Sequence, residues 1–179
     1  MRQIDCYSKS KQAGVADKAI SLLDRQITSY NNGNVKAKPN TVTINCVLAA
    51  LARSGEGGAA EKAEAILNRM QESTDACYDT VNVNTISYTS VIDAFAKSGR
   101  PDAALRAEEI LVRMKDDFEN GNHEAKPNTV TYNTVMNAWV QSGKKGSAQR
   151  AEQLLNKLES SSDPALQPDV VSYSIVMNG

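Results

Sequence analysis

Apolar residues recur at i, i+3, i+4 and i+7 in three stretches of the chain. They are Ile44, Val47, Leu48, Leu51, then Tyr88, Val91, Ile92, Phe95, then Tyr132, Val135, Met136, Trp139. A second set keeps the same spacing: Ala63, Ile66, Leu67, Met70, then Ala107, Ile110, Leu111, Met114, then Ala151, Leu154, Leu155, Leu158. Such a stripe falls on one side of a helix with 3.6 residues per turn, so every stretch predicts an amphipathic helix. Ser-Gly at 54–55, 98–99 and 142–143 breaks the chain between the first set and the second. The pattern predicts helical hairpins, with about 13 residues in the first helix (helix A) and about 15 in the second (helix B). Pro101 and Asp102 suit the first turn of a helix B, where a missing amide donor costs nothing.

The hairpins are copies of one another. TVTINCVLAALARSG from Thr41, TISYTSVIDAFAKSG from Thr85 and TVTYNTVMNAWVQSG from Thr129 follow at a period of 44, and VVSYSIVMNG opens at Val170 after 41. The blocks AEAILNRM, AEEILVRM and AEQLLNKL mark helix B in the same register. A fixed period of this length is the signature of a solenoid, in which a unit covers its apolar face only with its neighbours. The expected organisation is a single helical-repeat array over 1–179, with repeats at 1–40 (partial), 41–84, 85–128, 129–169 and 170–179 (partial). One period before Ala63, AISLLDRQ at Ala19 matches helix B, and Met1, Ile4 and Tyr7 fall in a helix A. The chain is therefore expected to be a segment of a longer array. The polar stretches Ser73–Val83, Asp116–Lys126 and Glu159–Gln167 read as connectors. Connectors end in Lys38-Pro39-Asn40, Val83-Asn84, Lys126-Pro127-Asn128 and Gln167-Pro168-Asp169, where Pro cannot continue a helix and Asn or Asp caps the next one.

Composition narrows the function. About two-fifths of residues are hydrophobic, aromatics are few and Ala is abundant, which suits closely packed helices. A formal net charge of −1 provides no overall basic field for non-specific nucleic-acid binding, but leaves room for a local polar groove. Cys6, Cys46 and Cys77 are widely spaced and His123 is the single histidine, so the expectation is buried or incidental thiols and no metal site. No apolar run approaches the roughly 20 residues of a membrane span. The opening MRQIDCYSKSKQAG lacks the apolar centre of a secretory leader. Nor is there a histidine dyad, a glycine-rich phosphate loop or a carboxylate pair in matched positions. The expectation is a binding module without catalysis or cofactor.

Opposite the core positions of helix A lie Val42, Asn45, Ala49 and Arg53, then Ile86, Thr89, Asp93 and Lys97, then Val130, Asn133, Asn137 and Gln141. The fourth copy supplies Val171, Ser174 and Asn178. The stripe is small and polar except at its first position, which is a bare β-branched residue each time. That residue is either a staple at the helix entry or a flat apolar surface on which a ligand stacks. The polar residue three positions later is a short hydrogen-bonder with the chemistry to read a base edge. Recurring together, the two favour one reader per unit along a concave surface.

The run TVTYNTVMNAWVQSG…AEQLLNKLESS…LQPD resembles a pentatricopeptide repeat of the plain RNA-binding type, and the resemblance extends over essentially the whole chain. V-T-Y-N at the start, Ser-Gly in the turn, A-x-x-L-L-x-x-M in helix B and K-P-N/D at the end coincide in register. The tetratricopeptide signature is absent. The resemblance implies an all-α solenoid of stacked helical hairpins in a right-handed superhelix, and sequence-selective binding of single-stranded RNA, one base per repeat. It assigns base choice to the fifth and last residues of a unit: Asn45 with Asn84, Thr89 with Asn128, Asn133 with Asp169, and Ser174 in the last partial unit. The second residues Val42, Ile86, Val130 and Val171 would sandwich the bases. By the family's pairing rule the three pairs favour C, A and U, or 5′-C-A-U-3′ from N to C. Arg53 and Lys97 fall where the family places a phosphate-contacting cation, and Gln141 does not supply one.

The family's habit is a mitochondrion or plastid, in RNA processing, stability or translation. Units of 44, 44 and 41 are longer than the family's common one. Three extra residues precede the helix-B Ala, about one further helical turn, and the remainder lengthens the connector. Single-stranded RNA is the expected partner, with no membrane, and with the convex face or flanking regions left for proteins. The alternative is a protein-interaction scaffold holding a peptide in its groove, which the small polar stripe disfavours.

Overall fold

The computed structural model describes residues 14–72, 78 and 81–179. Met1, Ile4 and Tyr7, expected in a helix A, lie outside the described residues, as do Cys6 and Cys77. Among the described residues there are eight α-helices and no strand: α1 Val15–Asn31, α2 Thr41–Ser54, α3 Ala59–Glu72, α4 Thr85–Lys97, α5 Ala103–Glu119, α6 Thr129–Ser142, α7 Ser147–Glu159 and α8 Val170–Met177. Helices α2, α4, α6 and α8 are helix A of successive units; α1, α3, α5 and α7 are helix B. Short 3₁₀ turns at Val35–Ala37, His123–Ala125 and Pro164–Leu166 shape three of the connectors.

Each hairpin folds for local reasons. Asn40, Asn84, Asn128 and Asp169 are the N-caps of α2, α4, α6 and α8, their side chains accepting from the amides of Thr43, Ser87, Thr131 and Ser172. These bonds satisfy amides that a helix start leaves without partners. Gly143 ends α6 in the left-handed conformation (φ 58°) and Gly146 precedes α7 in the same region (φ 88°), a pair of reversals that glycine adopts without steric cost. Helix B starts one turn ahead of Ala63, Ala107 and Ala151, as the added length predicts.

Two boundaries differ from the sequence expectation. Pro101 sits in the turn two residues before α5 rather than in its first turn. Asp102 is the cap residue, but its carboxylate is held by the Arg100 guanidinium at 2.8 and 3.1 Å and makes no cap bond. Asp116–Glu119 belong to α5 and not to a connector. Asp116 and Glu119 lie exposed on a helix that ends before Asn120. Asp117 is half-buried and accepts from the Tyr88 hydroxyl at 3.2 Å and from Asn122 Nδ2 at 2.7 Å. Phe118 closes against His123 edge-on at 5.9 Å.

The core runs unbroken from unit to unit. Ile44, Val47, Leu48 and Leu51 are wholly buried, as are Val91 and Ile92 in α4 and Val135 and Met136 in α6. Trp139, expected in the same row, is only half-buried, because the eight-residue α8 leaves the last turn of α6 less covered than α4 and α6 leave their predecessors. Its indole N–H donates to Glu108 at 3.0 Å. Helices A pack directly on one another (α2 on α4, α4 on α6, α6 on α8), helped by buried alanines such as Ala94 and Ala138. Helices B are joined chiefly by long ionic side chains: Arg106 to Glu64 at 2.7 Å, Arg150 Nε to Glu108 at 3.0 Å and Lys62 to Asp17 at 2.7 Å. The row of helices A is therefore the tighter one, and its free face is the inner face of the stack.

Candidate nucleic-acid interface

The inner face is built from the first two turns of α2, α4, α6 and α8. The second residue of each helix points outward: Val42 is 52% exposed, Ile86 and Val130 60%, and Val171 54%. An aliphatic side chain packed as a helix-entry staple would not keep half its surface in water, so these four form a free apolar row.

Between them the capping residue of one helix meets the fifth residue of the helix before it. Asn45 Nδ2 donates to Asn84 Oδ1 at 3.2 Å across 39 residues of sequence. Asn133 Nδ2 donates to Asp169 Oδ1 at 3.1 Å across 36. Thr89 makes no hydrogen bond to Asn128. Its hydroxyl lies 3.0 Å from that of Thr131, which in turn donates to Asn128 Oδ1 at 3.0 Å. Ser174, in α8, donates to the Val170 carbonyl within its own turn at 2.7 Å. Asn84 and Asp169 are therefore caps and also partners of the fifth residue, whereas Asn128 is a cap that reaches Thr89 only through Thr131.

The fifth residues lie deeper than a solvent-facing stripe would place them. Asn133 is 7% exposed, since Asp169 and Ser172 close over it from α8. Asn45 and Thr89 are half-buried. Sequence reasoning passed over the third residues Ser87, Thr131 and Ser172, which are wholly buried hydroxyls. The signal was present, because Asn or Asp followed three residues later by Ser or Thr recurs at each entry to helix A and forms a reciprocal capping box at α4, α6 and α8.

Two recesses open on this face. Val130, Asn133, Asp169, Val171, Asn137 and Asp93 line one; Arg53, Thr89, Asp93 and Val130 contribute to the other. The structure thus brings the second, fifth and last residues of the unit at 129–169 into one recess. Lys97 is tied to Asp93 at 2.6 Å, one turn back on α4, which offsets its charge. The Ser172 backbone amide first, then the Asn133 side-chain amide, hold the Asp169 carboxyl below its ordinary range, so at neutral pH it is a carboxylate. Unit-to-unit spacing is fixed nearby: the Thr85 hydroxyl donates to the Lys126 carbonyl at 2.7 Å and the Thr129 hydroxyl to that of Gln167 at 2.7 Å.

Among the described residues no cluster of three His, Cys, Asp or Glu side chains is placed to hold a metal. No helix among them is long and apolar enough to cross a membrane. No curated protein matches the chain. A family model described as a pentatricopeptide repeat domain matches residues 73–142, and one described as the PPR repeat family matches 127–179. With stacked helical hairpins in the register of both matches, the chain belongs to the pentatricopeptide repeat family.

Proposed function

We propose that the chain binds single-stranded RNA sequence-selectively, one base at each junction between consecutive helices A, in the order 5′-C-A-U-3′. Repeats of this family are generally RNA-binding and non-enzymatic. The observation that carries the finer reading is the pairing of Asn133 with Asp169 inside a recess bordered by Val130 and Val171. A recess with apolar sides and polar atoms at its base accepts a flat ring edge-first.

The atoms left over at each junction support the choice of base. Capping commits Asn84 Oδ1 and Asn128 Oδ1 to backbone amides, which leaves Nδ2 of each as a donor. Cytosine and adenine carry a ring-nitrogen acceptor on the pairing edge, and so match a donor. Asp169 spends Oδ1 on the same duty, and its other oxygen can only accept. Uracil carries a ring N–H and matches it. Thr89 is shorter than Asn45 or Asn133 and leaves depth for a purine, which selects adenine at the second junction. Arg53, beside Thr89 and Val130, is placed to meet the phosphate backbone. Family members are typically organellar, and we assign the chain to RNA processing, stability or translation there.

Titration with short single-stranded RNAs carrying CAU or permuted bases tests this. CAU should bind tightest. Asn133→Thr should move the third preference from U toward G, since Asp169 still demands a ring N–H and the added depth admits a purine. Binding that ignores both base identity and this substitution refutes the assignment.

A further inference from the structure

Beneath the fifth and last residues lies a row of hydroxyls shielded from any ligand: Ser87, Thr131 and Ser172 are each 0% exposed. A hydroxyl has one proton to give, and its neighbours decide where it goes. Ser87 Oγ accepts from the Asn84 amide at 3.2 Å and stands 2.7 Å from Asn45 Oδ1 and 3.1 Å from Asn84 Oδ1. Asn84 Oδ1 already accepts from the amides of Ile86 and Ser87 and from Asn45 Nδ2. The proton therefore lies on the shorter line, toward Asn45. Ser172 repeats the arrangement, 2.8 Å from Asn133 Oδ1 and 3.0 Å from Asp169 Oδ1. The Asp169 carboxylate can only accept, so the Asn133 amide must turn Nδ2 toward it and Oδ1 toward the hydroxyl.

An asparagine amide turned over by half a rotation fills the same space but exchanges donor for acceptor. Here the capping oxygen, which can only accept, faces Nδ2 and the buried hydroxyl gives its proton to Oδ1, so the two together oppose the exchange. The group that Asn45 or Asn133 keeps for a ligand is its second Nδ2–H, a donor. Both pyrimidines carry a carbonyl acceptor beside the ring nitrogen of the pairing edge, where adenine has C–H and guanine an amino donor. We propose that the third-residue hydroxyl is a positioning residue: together with the capping oxygen of Asn84, Ser87 fixes the amide of Asn45 and so sets the preference for pyrimidine over purine at that junction. This rests on the reading that the fifth residue meets a base. At the middle junction Thr131 faces the hydroxyl of Thr89, where there is no amide to orient.

The test is Ser87→Ala in the full chain, with affinities for short single-stranded RNAs carrying CAU, AAU or GAU. The preference for C over purine should fall about fivefold, the worth of one neutral hydrogen bond. Preferences at the other two bases should not move. Ser87→Thr, which restores a hydroxyl of the Thr131 kind, should recover the wild-type ratio. A hydroxyl that only supported the helix start would lower affinity for all three RNAs together and leave their ratio unchanged; that result overturns the inference. Loss of discrimination in the wild-type chain would instead sink the proposed function. Should Ser87→Ala not fold, the pyrimidine-to-purine ratio is read at the same base in Ser87→Cys, whose thiol is a weaker donor, where a fall supports the inference and an unchanged ratio overturns it.

Discussion

Asn128 combines two tasks that one substitution can separate. Its Oδ1 caps α6, accepting from the Thr131 amide at 3.0 Å and the Thr131 hydroxyl at 3.0 Å. Its Nδ2 donates no bond among the described residues, and in the proposed reading meets the ring nitrogen of adenine. Asn128→Asp keeps the capping oxygen and replaces the donor by an acceptor. The cap survives, and a negative charge beside a helix N-terminus adds roughly 0.3–1 kcal/mol at most. The melting temperature should hold or rise slightly. At the base, acceptor would face acceptor for adenine, whereas the ring N–H of guanine finds a carboxylate. A hydrogen bond to a charged group is worth about 1.5–3 kcal/mol, so the A-over-G ratio should reverse by more than about tenfold. Asn128→Ala removes both tasks. It should cost about 1 kcal/mol, or about 2–4 °C of melting temperature for a chain of this length, and flatten the preference at that base. Thermal melts and competition binding with CAU against CGU read the two effects apart. If Asn128→Asp melts like the wild type and still prefers adenine, the last residue is a cap alone and the reader assignment is wrong.

Three further outcomes are expected. Asp93→Asn should release Lys97 to the RNA backbone, tighten binding and steepen the slope of log K against log salt by about 0.7, the value for one single-strand phosphate contact; an unchanged slope would show that Lys97 takes no part. Because the Asp169 carboxyl is held below its ordinary value, its contribution to stability is complete above the unfolded pKa of about 3.9 and is lost as pH falls through the lower folded value. Melts of wild type and Asp169→Asn should accordingly converge only in strong acid, with convergence near pH 6 as the contrary result. Gly143→Ala, at φ 58°, should lose about 1–2 kcal/mol to left-handed strain, seen as a lower melting temperature, and an unaltered melt would contradict it.

Most of the architecture was legible because the signals repeat. Ile44 to Leu51 and its two copies keep helical spacing, and Ser-Gly falls between the helices each time, so a chance reading at one unit is corrected by the next. The exposed aliphatic row at Val42, Ile86, Val130 and Val171 was legible for the same reason. What escaped depends on a neighbouring unit. Periodicity places Asn133 opposite the core of its own helix, but α8 arrives from the next unit and buries it. Ser87 and Thr131 read as ordinary helix residues until a cap and a fifth-residue side chain from two different helices converge on them. The end of α5 was misplaced because polarity at Asp116 and Glu119 looks alike on the outer face of a helix and in a loop.

The bond from Ser87 to Asn45, and that from Ser172 to Asn133, each cross the line where one copy of the repeat stops and the next begins. The unit of heredity in the sequence is thus offset from the unit of recognition. A chimera spliced at Thr85 would keep Asn45 and Asn84 from one parent but take Ile86 and Ser87, which border and support that pair, from the other. A joint inside helix B, between α5 residues for example, would part Thr89 from Asn128, the fifth and last residues of one unit.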